Sequence, residues 1–212
     1  MHPVFFDPEQ PTERRLRNLP HWHQPEAAVF VTFRLADAIP ASAIARWAEE
    51  RRRWLAARGF PAEGDLAATL TLLPDEQRRV YFREFGKRFH ALLDAGHGSC
   101  VLRDPRCSKV VEGALTHFDG SRYQLGRYVV MPNHVHLLVS PFEGYGLSGI
   151  LKSWKGFAAR EINRLNGTSG QVWQHESFDH LVRHAGSLEA FERYIEENPR
   201  KAKLREGEFR LG

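Results

Sequence analysis

Cysteine is almost missing from this chain: 212 residues contain two, Cys100 and Cys107. Their spacing matches no zinc-ligand pattern, and a single pair is no disulfide framework, so both are expected as buried free thiols. Long apolar runs are missing too. None approaches the roughly 20 residues that a membrane-spanning helix needs, which excludes the membrane as a partner. The opening "MHPVFFDPEQPTERRLRNLP" lacks the cationic-then-apolar order of a secretory signal, so a cytoplasmic, nucleoid-associated location is the expectation. Internal repeats and low-complexity tracts are absent. No excess of one charge stands out: 30 Lys and Arg against 26 Asp and Glu leave +4. A pI near 9.3 permits a nucleic-acid partner without demanding one.

What is present is material for one core. Hydrophobic residues make up 42% of the chain, with 14 Phe and 5 Trp among them. Residues 1–212 are therefore expected to form a single domain. Residues 1–27 form an N-terminal basic arm. "AVFVTFRL" (Ala28 to Leu35) alternates β-branched and aromatic residues as a strand does. Helical spacing then dominates residues 40–97. Ile44, Trp47, Trp54 and Leu55 make one stripe, opened by Ser42 and ended by Gly59; Tyr81, Phe82, Phe85, Phe89, Leu92 and Leu93 make another, with a loop between them. "CVL" resembles a short strand. Asp104–Pro105 opens a third helix. "RYQLGRYVVM" and "HVHLLVS" are strands cut into a hairpin by Pro132 and Asn133, because proline is excluded from central strands. Ser148 opens a helix that Asn166–Gly167 ends. "QVWQHESFDHLVR" is extended or mixed. A last helix runs from Ser187 until Pro199 stops it, and 199–212 form a basic tail. This order predicts an α+β fold: an antiparallel sheet with helices packed on one face, plus a helical insertion (40–97) after the first strand.

The hairpin carries the chemistry. Residues i and i+2 of a strand share a face, so His134 and His136 lie on one side while Val135, Leu137 and Val139 line the other. Their Cα atoms are about 7 Å apart, and ring rotation can bring both imidazoles onto one metal ion. Two hydrogen-bonded structural histidines are the competing account. A histidine at position 138 would complete a nucleotide-hydrolase triad, but Leu138 stands there. A third ligand must then come from a helix laid across the sheet. In the last helix Tyr194 and Asn198, four residues apart, are neighbours on one face. Phe191 and Ile195 share that stripe, so Tyr194 also fits as core.

"MPNHVHLLVSP", "LKSWKGFAAREIN", "VWQHESFDHLVR" and "FERYIEENPRKAKL" together resemble the REP-associated tyrosine transposases, within the single-tyrosine HUH superfamily. "LPHWHQPEAAVFVTFRLADAIP" is similar to the family's entry strand. The resemblance implies a ferredoxin-like sheet, with the HUH pair on a central strand and the nucleophile on a C-terminal helix. His134 and His136 then match the metal ligands, Tyr194 the nucleophile, and Asn198 the position of a third ligand. Mg or Mn is the implied ion. The implied substrate is single-stranded and hairpin repeat DNA rather than a small molecule, cut through a 5′-phosphotyrosine by a monomer or homodimer. A repeat-binding protein that does not cut, or a metal-dependent phosphodiesterase using water, are the alternatives. Arg14, Arg15 and Arg17 in the arm, Lys152 and Lys155 flanking Trp154, and Lys201, Lys203 and Arg205 near the end are candidates for the DNA backbone. Asp179 and His180 are candidates to assist. With histidine ligands at their ordinary pKa, protons would compete with metal below about pH 6.5.

Overall fold

Residues 4–6, 13–16, 20–24 and 26–212 are described by the structure, a computed structural model. Two short strands, β1 (Glu13–Leu16) and β2 (Pro20–His23), pair antiparallel ahead of the main fold. Strand β3 (Val29–Arg34) follows, and all six of its residues are buried, as expected of a strand covered on both faces. Helices α1 (Ala41–Ala56), α2 (Leu66–Leu72) and α3 (Asp75–Asp94) come next, then a 3-10 turn (Val101–Arg103) and α4 (Pro105–Thr116). The hairpin β4 (Tyr123–Val130) and β5 (His134–Pro141) leads into α5 (Leu147–Asn166), β6 (Phe178–Leu181), α6 (Ala185–Lys201) and β7 (Arg210–Leu211).

The main sheet has the order β6-β3-β5-β4-β7, antiparallel throughout. Its first four strands form two interleaved β-α-β units, the ferredoxin-like arrangement. Right-handed crossovers place both crossover helices on the same face. Accordingly Val111 and Leu115 of α4 and Trp154, Ala158 and Ile162 of α5 pack with Val31, Phe33, Val135, Leu137 and Val139. The last helix crosses from β6 to the parallel β7 at the other edge, a right-handed connection that runs in the opposite sense across the sheet. It covers the opposite face, where Ile195 joins Phe30, Val129, Met131 and Leu138. Helices therefore cover both faces, a correction to the expectation of one.

Several local signals behave as the sequence predicts. The Asp104 side chain accepts from the Arg106 amide with Pro105 at the first helical position, and Gly167 ends α5 in the left-handed region, φ 62°. Others do not. The caps of α1 and α5 are Pro40 and Gly146 rather than Ser42 and Ser148, and α1 ends at Ala56, before Gly59. His184 caps α6, and Ser187 is the third residue of its capping box. α6 also runs through Pro199 to Lys201, because in a last turn proline deprives only the Ile195 carbonyl of a partner. α2 occupies the expected loop, and "CVL" forms the 3-10 turn. α1–α3 share their own small core of Leu55, Leu70, Leu73, Tyr81 and Phe85. The end of α3 leaves that core and lies against the tip of the hairpin, with Leu93 in the sheet core.

Candidate active site

The site lies on the α6 face, around the hairpin tip. Pairing sets Thr32 opposite His136 and Arg34 opposite His134. Both histidines are 0% exposed, with ring centroids 4.5 Å apart. Burial, with His90 nearby, brings the His134 pKa down to about 3. Burial and the neighbouring imidazoles likewise hold His136 well below its ordinary value. Both rings are therefore neutral at pH 7 and ready as ligands, and the expected proton competition near pH 6.5 moves to more acid conditions.

Each ring is oriented by a partner on its inner nitrogen. The Asn133 Nδ2 donates to the carbonyls of Leu93 (3.2 Å) and His97 (3.1 Å), so its Oδ1 can only accept. That oxygen lies 2.7 Å from His134 Nδ1, which must carry the proton. The Nε2 of His134 is then a lone pair, and it is buried without a hydrogen-bond partner among the described residues. The Thr32 hydroxyl sits 2.7 Å from His136 Nδ1 in the equivalent position. The Tyr194 hydroxyl, from α6, reaches the other nitrogen of His136 at 3.3 Å. Phe30 braces this cluster, stacked on His136 and on Phe191 and edge-on to Tyr194. Burial and then the Asp94 carboxylate raise the Tyr194 pKa well above the usual phenol range. In the resting protein the phenol is protonated.

Asp94, the last residue of α3, closes the ring of groups. Its Oδ1 lies 3.8 Å from His134 Nε2 and 3.4 Å from Asn198 Nδ2. Ligand atoms of Asp94, His134 and His136 all fall within 4.8 Å of one another. The Asn198 Oδ1 is, like His134 Nε2, a buried acceptor without a partner among the described residues. Neutral imidazole lone pairs, a carboxylate and an orphaned amide oxygen form a donor set with nothing to donate to, and a divalent cation fits it.

Of the residues singled out in the sequence, His134, His136, Tyr194 and Asn198 converge here. Lys201 lies beside them, its Nζ 5.9 Å from the Tyr194 ring and 2.9 Å from Glu197. Lys155 does not. It is on α5, across the sheet, and its Nζ donates to the carbonyls of Gln174 (2.7 Å) and His175 (2.8 Å). Burial, then Arg34, lower its pKa to about 8. Lys152 shares that helix but is exposed, and Trp154 is a core residue whose Nε1 donates to the Tyr123 hydroxyl at 2.8 Å. The α5 trio therefore sits across the sheet from the histidines. Arg14 and Arg15 fall on β1, of which only the backbone is described, and Arg17 lies outside the described residues. His180 rests on Phe191, one turn before Tyr194. Two residues escaped the sequence reading: Asp94, and His90 one turn earlier, whose ring centroid is 5.4 Å from His136 and 5.5 Å from Tyr194. Their one sequence signal is an i, i+4 polar pair on a helix otherwise faced with aromatics.

Residues 102–198 match the family of IS200-like transposases. That stretch, nearly half of the chain, is similar to the transposases of this family. It contains His134, His136, Tyr194 and Asn198, and leaves out α1–α3 with His90 and Asp94. Among solved structures the chain is similar to a REP-associated tyrosine transposase bound to a REP hairpin. Identity there is 14%, with 85% of this chain and 71% of that one covered and a TM-score of 0.45. A candidate transposase from Deinococcus radiodurans R1 is similar at 13% identity over 81% of this chain and 89% of that one, TM-score 0.29. No curated protein matches. Among the described residues, no helix is long and apolar enough to cross a membrane.

Proposed function

We propose that this protein is a transposase that cleaves and rejoins single-stranded DNA at the foot of palindromic repeat hairpins, with Tyr194 as the nucleophile. The observation that carries the reading is the Tyr194 hydroxyl at 3.3 Å from His136, one of two buried, neutral histidines. The Tyr194 ring packs with the Phe191 and Ile195 stripe, and its oxygen is delivered to the His136 imidazole. The repeat-hairpin substrate is supported by the motif set around "MPNHVH" and "YIEENPRKA".

The residues supply position first. Asn133 and Thr32 hold the two imidazoles by their Nδ1 atoms, Asn133 leaving the His134 Nε2 lone pair free, and His136 holds the phenol oxygen beside them. A divalent ion, Mg or Mn, on His134 and His136 with Asn198 as a further donor would polarise the scissile phosphate and offset its charge, a contribution of several kcal/mol. The Tyr194 oxygen bonds to phosphorus as the bond to the 3′ oxygen breaks. The phenolic proton leaves, and the departing oxygen takes up a proton to become a 3′-hydroxyl. The product is a 5′-phosphotyrosine, still a phosphodiester, so a second strand's 3′-hydroxyl can reverse the step without an external energy source. Lys201, beside the tyrosine ring, is placed to meet backbone phosphate.

The test uses a repeat hairpin with a single-stranded foot, labelled at its 3′ end and incubated with protein and manganese. On a denaturing gel, label should migrate with the wild-type protein and not with Tyr194→Phe. Free cleaved DNA from both proteins would instead establish water as the nucleophile, and a tight complex with intact DNA would establish a binding protein.

A further inference from the structure

We infer that Asp94 is the anionic ligand of the metal site, so that the α1–α3 insertion is part of the active centre. The inference rests on the proposed metal-binding role of the histidine pair and adds a residue outside the segment that matches the transposase family.

Two neutral imidazoles and an amide oxygen carry no net charge. Burying a divalent cation among them alone leaves its charge uncompensated, which is costly in a low-dielectric site. Asp94 supplies the compensation. It is the carboxylate that, among the described residues, shares a 4.8 Å cluster with both imidazoles. Its oxygen lies 3.8 Å from His134 Nε2, an atom that is fully buried and has no hydrogen-bond partner among the described residues. Because His134 Nδ1 holds the proton, that Nε2 cannot donate to the carboxylate. Two acceptors facing each other across 3.8 Å repel unless a cation or a proton lies between them, and a divalent ion serves both at once.

The carboxylate's position is built from both sides. Asn133 ties the Leu93 and His97 carbonyls, flanking Asp94, to the hairpin tip, and the same amide orients His134. From α6, Asn198 Nδ2 donates to Asp94 Oδ1. Asp94 is also the C-terminal residue of a 20-residue helix, whose dipole favours a cation at that end. The insertion thus delivers one ligand, and its two neighbouring elements aim it.

Mn²⁺ binding to the purified full chain, followed by loss of the free-ion EPR signal without DNA, tests this separately from cleavage. Asp94→Asn should weaken Mn²⁺ binding by at least about tenfold, with circular dichroism unchanged, and Asp94→Glu should recover part of the loss. Asp94→Cys with Co²⁺ should show a thiolate-to-cobalt charge-transfer band that wild type, which retains Cys100 and Cys107, does not. If His134→Ala loses Mn²⁺ while Asp94→Asn keeps wild-type affinity and Asp94→Cys gives no band, Asp94 is not a ligand, although the metal site stands. If His134→Ala also binds Mn²⁺ normally, the metal site itself is refuted.

Discussion

Asn133 shows how much one side chain decides here. In the sequence it is a turn residue after Pro132; in the fold its amide clamps the end of α3, and by accepting from Nδ1 it leaves His134 a metal-ready Nε2. The cost of that arrangement is a set of buried imidazoles, and it has a pH signature. Burial lowers the His134 pKa from 6.5 to about 3 and the His90 pKa to about 4. The unfolded chain protonates these rings first, so it binds more protons at every pH between those folded values and 6.5. Their contribution to stability is complete above about pH 6.5 and is lost progressively as pH falls toward 4. Without metal, the melting temperature should therefore decline steadily from pH 7 to pH 5, measured by circular dichroism. A constant melting temperature over that range would show that the rings are hydrated rather than buried.

At the level of elements, two helices that both carry lysines do different things because they cover different faces of the sheet. α5 uses Lys155 to hold the Gln174 and His175 carbonyls on the chain leading into β6. α6 brings Lys201 next to Tyr194. Lys155→Ala should destabilise the protein by about 1–3 kcal/mol, the cost of stranding partly buried acceptors, and leave hairpin affinity unchanged. Lys201→Ala should do the reverse, weakening affinity and lowering the slope of log K against log salt by about 1. Denaturant titration and fluorescence anisotropy across a salt series check the pair; equal effects on affinity would return Lys155 to the DNA surface.

For the whole molecule, the consequence of the topology is that one chain brings the residues of the proposed site together. The split β-α-β units put the histidine strand in the sheet centre with α4 and α5 behind it, which leaves the other face open for α6 to bring Tyr194 to the same chain's histidines. A mixture of Tyr194→Phe and His134→Ala should then form no DNA adduct, because neither chain owns both parts. Recovery of adduct in the mixture, read on the same denaturing gel, would show a site shared between two copies. The C-terminal end is likewise built in. Arg210 and Leu211 pair with β4, and the Arg210 guanidinium joins Ser108 and Glu112 at 3.0 Å each.

The sequence by itself determined what periodicity and local chemistry encode. Alternation placed His134 and His136 on one strand face and Val135, Leu137 and Val139 on the other. Pro132–Asn133 cut the hairpin, Asp104–Pro105 and Gly167 bounded helices, and the i, i+4 spacing put Tyr194 with Asn198. Each of these depends on residues within a few positions, where backbone geometry alone settles the outcome. Tertiary structure decided the rest. Which face α6 covers, and so whether Lys155 or Lys201 stands beside the tyrosine, depends on crossover handedness rather than on either helix's pattern. Asp94 enters the site from 40 residues upstream of His134 because Asn133 docks α3 on the hairpin tip. Its i, i+4 pairing with His90 is the one local signal, and that does not name a partner, since the role of Asp94 arises from proximity across the fold.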